Sequence, residues 1–300
     1  MKQRDLQIDA VSIWLVNDME AAVSDDLMSP VLGAGTVEYE WMTWPEIAAA
    51  AAADAPVVIA VGSTEQHGPH LPVSADWVVP QALLRLAATR RPFIVGPPVR
   101  LGYRSRPASG GGQQFPGTLS LRATTFIAML EDLLEELIRT GFRRIVLYSW
   151  HFENQNFVYE PAYLVSGRFP DVKIVVVENG MPDFESADLD VLFPDGFPGL
   201  ALEHAAVIET SLFEYLRPAT VRMDRIVDDA PARNVPWDVL PIDPTMSTPT
   251  GILASATQAT VAKGELLTER IVEHIVSILD AEFPRPLNGA SIPLAADGAH

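Results

Sequence analysis

Between residues 124 and 140, apolar side chains recur at intervals of three and four: Phe126, Met129, Leu130, Leu133, Leu134, Leu137 and Ile138. Glu131, Asp132, Glu135 and Glu136 fall between them, so one stripe of the predicted helix is apolar and the opposite one charged, with Gly141 as its stop. Such a helix covers one face of a sheet. Short, uninterrupted apolar runs, rich in β-branched residues, stand at 57–61, 93–95, 145–148 and 174–177, as expected of strands buried on both faces. Strands and helices alternate along the chain, which predicts a three-layer α/β/α sandwich with a mainly parallel central sheet.

Local signals sharpen the boundaries. Thr43-Trp44-Pro45-Glu46 reads as a capping box that opens an alanine-rich helix to Ala53. A last helix is expected over 264–281. The proline-rich stretch 231–249 reads as an irregular excursion over the surface. Residues 1–35 read as an N-terminal extension and 284–300 as a tail, flanking one domain at 36–283; no internal repeat is visible.

Composition narrows the function classes. Of 300 residues, 48% are hydrophobic and 20% charged, enough apolar surface for a substantial core. The net charge of −18 repels phosphate backbones and anionic lipids, so neither nucleic acid nor membrane is an expected partner. With 0 cysteines, any metal must be held by His, Asp and Glu. No apolar stretch approaches the ~20 residues that span a bilayer, and the N-terminus lacks a signal-peptide layout, so a cytoplasmic protein is expected.

The chemistry concentrates just past two strands. The run 57–61 leads into Glu65 and His67, with Asp76 beyond, and the run 145–148 leads into His151 and Glu153. Open parallel sheets place their ligands beyond the carboxyl ends of their strands. One residue separates acid from imidazole in each pair, so in an extended segment both share a face. Two imidazoles and three carboxylates suit two divalent ions, with Asp76, alone in its segment, as the natural bridge. The alternative is that these are polar loop residues or structural hydrogen-bond partners. His204, at the mouth of an apolar helix, reads equally as a functional group or a helix-start packing residue. The glycine run Gly110, Gly111 and Gly112 after Ser109 could offer backbone donors to a carbonyl, as flexible loops also can.

Taken together, Gly62-Ser63-Thr64-Glu65-Gln66-His67-Gly68-Pro69-His70-Leu71-Pro72 with Asp76, the run Phe115 to Leu121, His151-Phe152-Glu153-Asn154, and Glu203-His204 with Glu209-Thr210-Ser211 resemble the creatininase (creatinine amidohydrolase) family in order and spacing. The resemblance covers about residues 40 to 283. It implies a homo-oligomer, usually hexameric, with two divalent ions, zinc or manganese, in each subunit. By position, Glu65, Asp76 and His151 match the ligands of one ion and His67, Asp76 and Glu153 those of the other. His204 matches a catalytic, substrate-contacting histidine, with Glu153 placed beside it as catalytic. Ser109 matches a substrate contact, and Gly110 and Gly111 would orient the substrate.

Several positions depart from the family. Trp150 stands where most relatives have glycine, and Leu200 and Ala201 replace a Trp-Asp pair that contacts creatinine in the creatinine enzymes. A further tryptophan of those enzymes has no counterpart near Gly180. Trp150 and Phe152 are expected to supply a flat aromatic wall instead. The expected activity is hydrolysis of a C–N bond in a small cyclic amide. A formamide deformylase, a peptide-trimming hydrolase and a metal-stabilised binding protein are the alternatives.

Overall fold

The structure is a computed structural model that describes residues 37–110, 112–229 and 231–284. The expected N-terminal extension, residues 285–300 of the expected tail, and Gly111 lie outside the described residues.

A parallel sheet of five strands occupies the middle: β1 (Val37–Glu38), β2 (Val57–Val61), β3 (Ile94–Val95), β4 (Arg144–Ser149) and β5 (Lys173–Val177), in the order β1-β3-β2-β4-β5. β2 and β4 pair over their whole common length, Val57 with Ile145 through Val61 with Ser149. Because strand side chains alternate, each strand contributes to both faces. Val57, Ile59, Ile145 and Leu147 join one core, and Val58, Ala60, Val146 and Tyr148 the other.

The first core is closed by α1 (Trp44–Ala52), α3 (Ala123–Thr140) and α4 (Gln155–Arg168). The second is closed by α2 (Ala75–Arg90), α5 (Ser186–Leu192), α6 (Val207–Leu216) and α7 (Val261–Glu282). The three-layer sandwich expected from the sequence is therefore present. The capping box opens α1, with the Thr43 N–H donating to Glu46 Oε2 at 2.6 Å. Gly141 ends α3 in the left-handed conformation. The last helix begins at Val261, three residues before its expected start.

Two further features differ from the expectation. Asp76, read as lying in a segment of its own, sits in the first turn of α2. The stretch 231–249 is irregular, as expected, but Arg233, Asn234 and Val235 line a pocket instead of merely crossing the surface.

Strand order reverses at β2: β3 lies to one side and β4 to the other, so a crevice opens beyond their carboxyl ends. Gly62 makes that crevice tight. A Cβ there would lie 2.3 Å from the Asp76 carbonyl oxygen, so only glycine lets the end of β2 meet the first turn of α2.

Candidate metal centre

Four segments converge in the crevice. The turn after β2 supplies Glu65 and His67, the first turn of α2 supplies Asp76, the single turn Phe152–Asn154 after β4 carries Glu153 beside His151, and the start of α6 supplies His204 just before the helix and Glu209 in its first turn. Asn154, wholly buried, clamps them. Its Nδ2 donates to the carbonyls of Val61 (3.2 Å) and Gly62 (3.0 Å), and its Oδ1 accepts from the Tyr103 N–H at 2.8 Å. His70 bonds Thr210 Oγ1 at 2.9 Å and so ties the β2 turn to α6.

The carboxylate of Asp76 faces two ways. Its Oδ2 lies 3.2 Å from His151 Nδ1, which is also 3.1 Å from Glu65 Oε2. Its Oδ1 lies 3.2 Å from His67 Nε2, which is 3.5 Å from Glu209 Oε2. Two compact donor sets result: Glu65, Asp76 and His151 in one, and His67, His204 and Glu209 in the other. Glu153 is placed differently. Its Oε2 lies 3.3 Å from the opposite ring nitrogen, His151 Nε2, and its Oε1 accepts from Ser109 Oγ and from the Arg106 N–H at 3.4 Å. Among the described residues no ion pair joins Glu153 to His67.

This donor set suits divalent cations. His67 Nε2 and Asp76 Oδ2 are buried and have no hydrogen-bond partner despite their close approaches, a costly arrangement unless something else satisfies them. Hard oxygen and borderline imidazole ligands, with no thiolate, match zinc and manganese.

Electrostatics agree. Burial opposes ionisation of Asp76, yet the two facing imidazoles, His67 first, outweigh it and hold the carboxyl well below its usual range. Burial likewise disfavours charge on His67 and His151, but the facing carboxylates raise both well above the ordinary histidine value. For Glu153 burial wins and the carboxyl is raised. Glu203, next to His204, is pushed up to about 8, chiefly by burial. A cluster whose members polarise one another this strongly is built around positive charge.

His204 differs from the other two imidazoles: burial, then the charge of His67, lowers its pKa, so the ring is neutral near pH 7. Its tautomer follows from its neighbours. Both protons of the Gln66 amide go to the carbonyls of Gly110 and Gly251, each at 2.9 Å. His204 Nε2 therefore donates to the main-chain carbonyl of Gln66 at 2.9 Å, which leaves the lone pair on Nδ1. Gly110, at φ +123°, presses on this ring; a Cβ there would lie 3.0 Å from it. Gly110 thus serves close approach to His204, whereas Gly112 packs against Ser105 and Glu65.

The remaining expected substrate residues gather at the same pocket. Ser109, Trp150, Phe152, Leu200 and Ala201 all line it, together with Met181 and Arg106. The Arg106 guanidinium lies 5.7 Å from the Phe152 ring centre. Two residues of the site were quoted in the sequence only as parts of motifs: Glu209, whose carboxylate also accepts from the Ala205 N–H at 2.6 Å, and Gln66. The signal for Glu209 was its place in the first turn of the helix after His204. Ala205 adopts φ +53°, a left-handed conformation that turns the chain sharply between those two residues.

Comparison with known proteins adds the following. The family profile described as creatininase, creatinine amidohydrolase, matches residues 40–279. The chain is 39% identical to the creatinine amidohydrolase of Pseudomonas putida over 249 residues, 81% of this chain and 96% of that protein. It is 28% identical over 269 residues to the mycofactocin precursor peptide peptidase of Mycobacterium ulcerans, covering 85% of this chain and 92% of that one. Among solved structures, a manganese creatininase superposes with a TM-score of 0.79 at 38% identity, over 83% of this chain and 100% of that one.

Proposed function

The chain belongs to the creatininase family, and from that premise we propose that it is a dinuclear metal-dependent amidohydrolase that opens a non-peptide C–N bond of a small cyclic amide. The observation that carries the reading is the two-way carboxylate of Asp76, which offers one oxygen to the Glu65–His151 group and the other to His67. Glu65, His67, Asp76, His151 and Glu153 hold two divalent ions, zinc or manganese, with Glu209 beside His67; a manganese creatininase and a zinc-zinc form of a creatininase variant are among the similar structures. When bound, the ions supply Lewis acidity, lowering the pKa of water and polarising the amide carbonyl.

The chain's own groups do the rest. An amide nitrogen leaves poorly until protonated, so a positioned acid is needed. His204, neutral and with Nδ1 open, takes up there the proton that the attacking water loses as its oxygen bonds the amide carbon, and delivers it to that nitrogen as the C–N bond breaks. Gln66 fixes the ring by accepting from Nε2. Ser109 holds Glu153 by a hydrogen bond from its Oγ, and Trp150, Phe152 and Leu200 confine a flat ring. The enzyme works as a homo-oligomer, the hexamer that the family resemblance implies, on a small molecule in the cytoplasm.

The test is a substrate panel of lactams, cyclic ureas, imides, formamides and short peptides, assayed after chelator treatment and reloading with zinc or manganese. Metal-dependent opening of a cyclic amide is expected. Turnover of formamides or peptides alone would replace this reading by a deformylase or a trimming peptidase. No turnover of any member would leave a metal-stabilised binding protein.

A further inference from the structure

We infer that Arg233 binds a carboxylate carried by the substrate, and so selects acidic amides; the inference rests on the amidohydrolase reading above. Two guanidinium groups line the pocket, those of Arg106 and Arg233. Arg106 is committed: its Nε lies 3.5 Å from Asp238 and 3.9 Å from Glu153. Arg233 forms no ion pair among the described residues. Its one hydrogen bond there runs from Nη1 to Met246 Sδ at 3.9 Å, a weak acceptor, so most of its five donors lack a protein partner. Asp243 is close enough to feel its charge, but that carboxylate is turned to Thr245, accepting from its N–H (2.9 Å) and Oγ1 (2.8 Å).

The placement of Arg233 is held by the backbone. The Ala232 N–H donates to the Leu253 carbonyl at 2.9 Å, and the Leu253 N–H donates to the His204 carbonyl at 3.1 Å. The segment that carries Arg233 is thus tied through one residue to the catalytic histidine. Met246, on which the guanidinium rests, is wholly buried.

Charge supplies the class of ligand. Glu65, Asp76, Glu153 and Glu209 line the pocket, and the whole chain carries a net charge of −18. With the carboxylates at the pocket's floor committed to the two ions, Arg233 is the guanidinium on its wall that no acid of the described residues pairs with, and so the group left open to an acidic substrate. A planar guanidinium with unpaired donors matches a carboxylate in a bidentate fork. Leu200, Ala201 and Met181 also line the pocket and suit an apolar link between the reacting amide and that carboxylate. The favoured substrates are therefore small cyclic amides with a carboxylate side chain.

The experiment uses matched pairs, a lactam or hydantoin and its carboxymethyl derivative, with the metal-loaded enzyme and its Arg233→Gln and Arg233→Lys variants. In the wild type, the carboxylated member should have the higher kcat/KM by about tenfold or more, mainly through KM, the scale of a charge-assisted hydrogen bond. That ratio should fall to about one in Arg233→Gln and recover in part in Arg233→Lys. A ratio unchanged by Arg233→Gln overturns the inference. If no pair is turned over, the amidohydrolase reading fails, and calorimetric binding of the same pairs still decides about Arg233: carboxylate-dependent binding lost in Arg233→Gln supports it, and equal binding of both members by the wild type refutes it.

Discussion

Single residues divide the work of the site between holding ions and moving a proton. His204 is anchored through Nε2 to the main-chain carbonyl of Gln66, so it is expected to serve turnover more than metal retention. His204→Ala should lower kcat by roughly a hundredfold or more, the scale of a lost general acid, while metal content stays near wild type. Loss of metal without a specific kinetic defect would make it a ligand instead. Specificity turns on two other residues. Leu200 and Ala201 line the pocket with neither a carboxylate nor an indole, so the polar edge of creatinine would lie unpaired at roughly 1–3 kcal/mol per group. Creatinine should therefore show a kcat/KM more than about tenfold below the best panel substrate, measured with both metals; a value within tenfold would mean these two positions matter little. Glu65, His67, His151 and Glu153 were legible because each follows an unmistakable apolar strand. The partner that meets His67 was not. Glu209 lies 142 positions along the chain from it, and only the folded chain brings the two within 3.5 Å.

At the scale of elements, β2 to β5 and the helices α1, α3, α6 and α7 were readable, whereas β1, α2, α4 and α5 gave little signal. α2 is buried on most sides, from Ala75 and Val79 to Leu84 and Ala88, so it shows no polar stripe, and Pro80 lies inside it. α4 likewise contains Pro161, which reads as a helix breaker in a bare sequence. The position of Asp76 depended on α2, which is why it was placed in an isolated segment. The close approach of β2 to α2 yields a test of how strictly this packing positions the ligand. Gly62→Ala introduces a Cβ only 2.3 Å from the Asp76 carbonyl oxygen, so α2 must shift. Overpacking of this kind costs about 1–3 kcal/mol. Urea unfolding should show that loss, and metal affinity should fall with it; a variant with wild-type stability and affinity would show that α2 moves freely against β2.

For the whole molecule, the uninterrupted apolar runs of β2 and β4 announced strands buried on both faces and hence three layers. The strap at 232–235 was not legible as part of the site, because proline-rich sequence carries no period from which a packing face can be read. Net charge is a property of the entire chain, and at −18 it opposes compaction through self-repulsion. Raising ionic strength from about 0.01 to 0.15 M, which shortens the screening length from about 30 to 8 Å, should raise Tm; a Tm that falls over that range would show that attractive ion pairs outweigh the repulsion. The central claim is that one carboxylate joins two ions beyond the carboxyl ends of β2 and β4. Its most direct test is elemental analysis of the purified, metal-reloaded chain beside Asp76→Ala, with circular dichroism confirming that the variant is folded. The account predicts two divalent ions per chain in the wild type and none in Asp76→Ala; a folded variant that keeps one ion at full occupancy would contradict it.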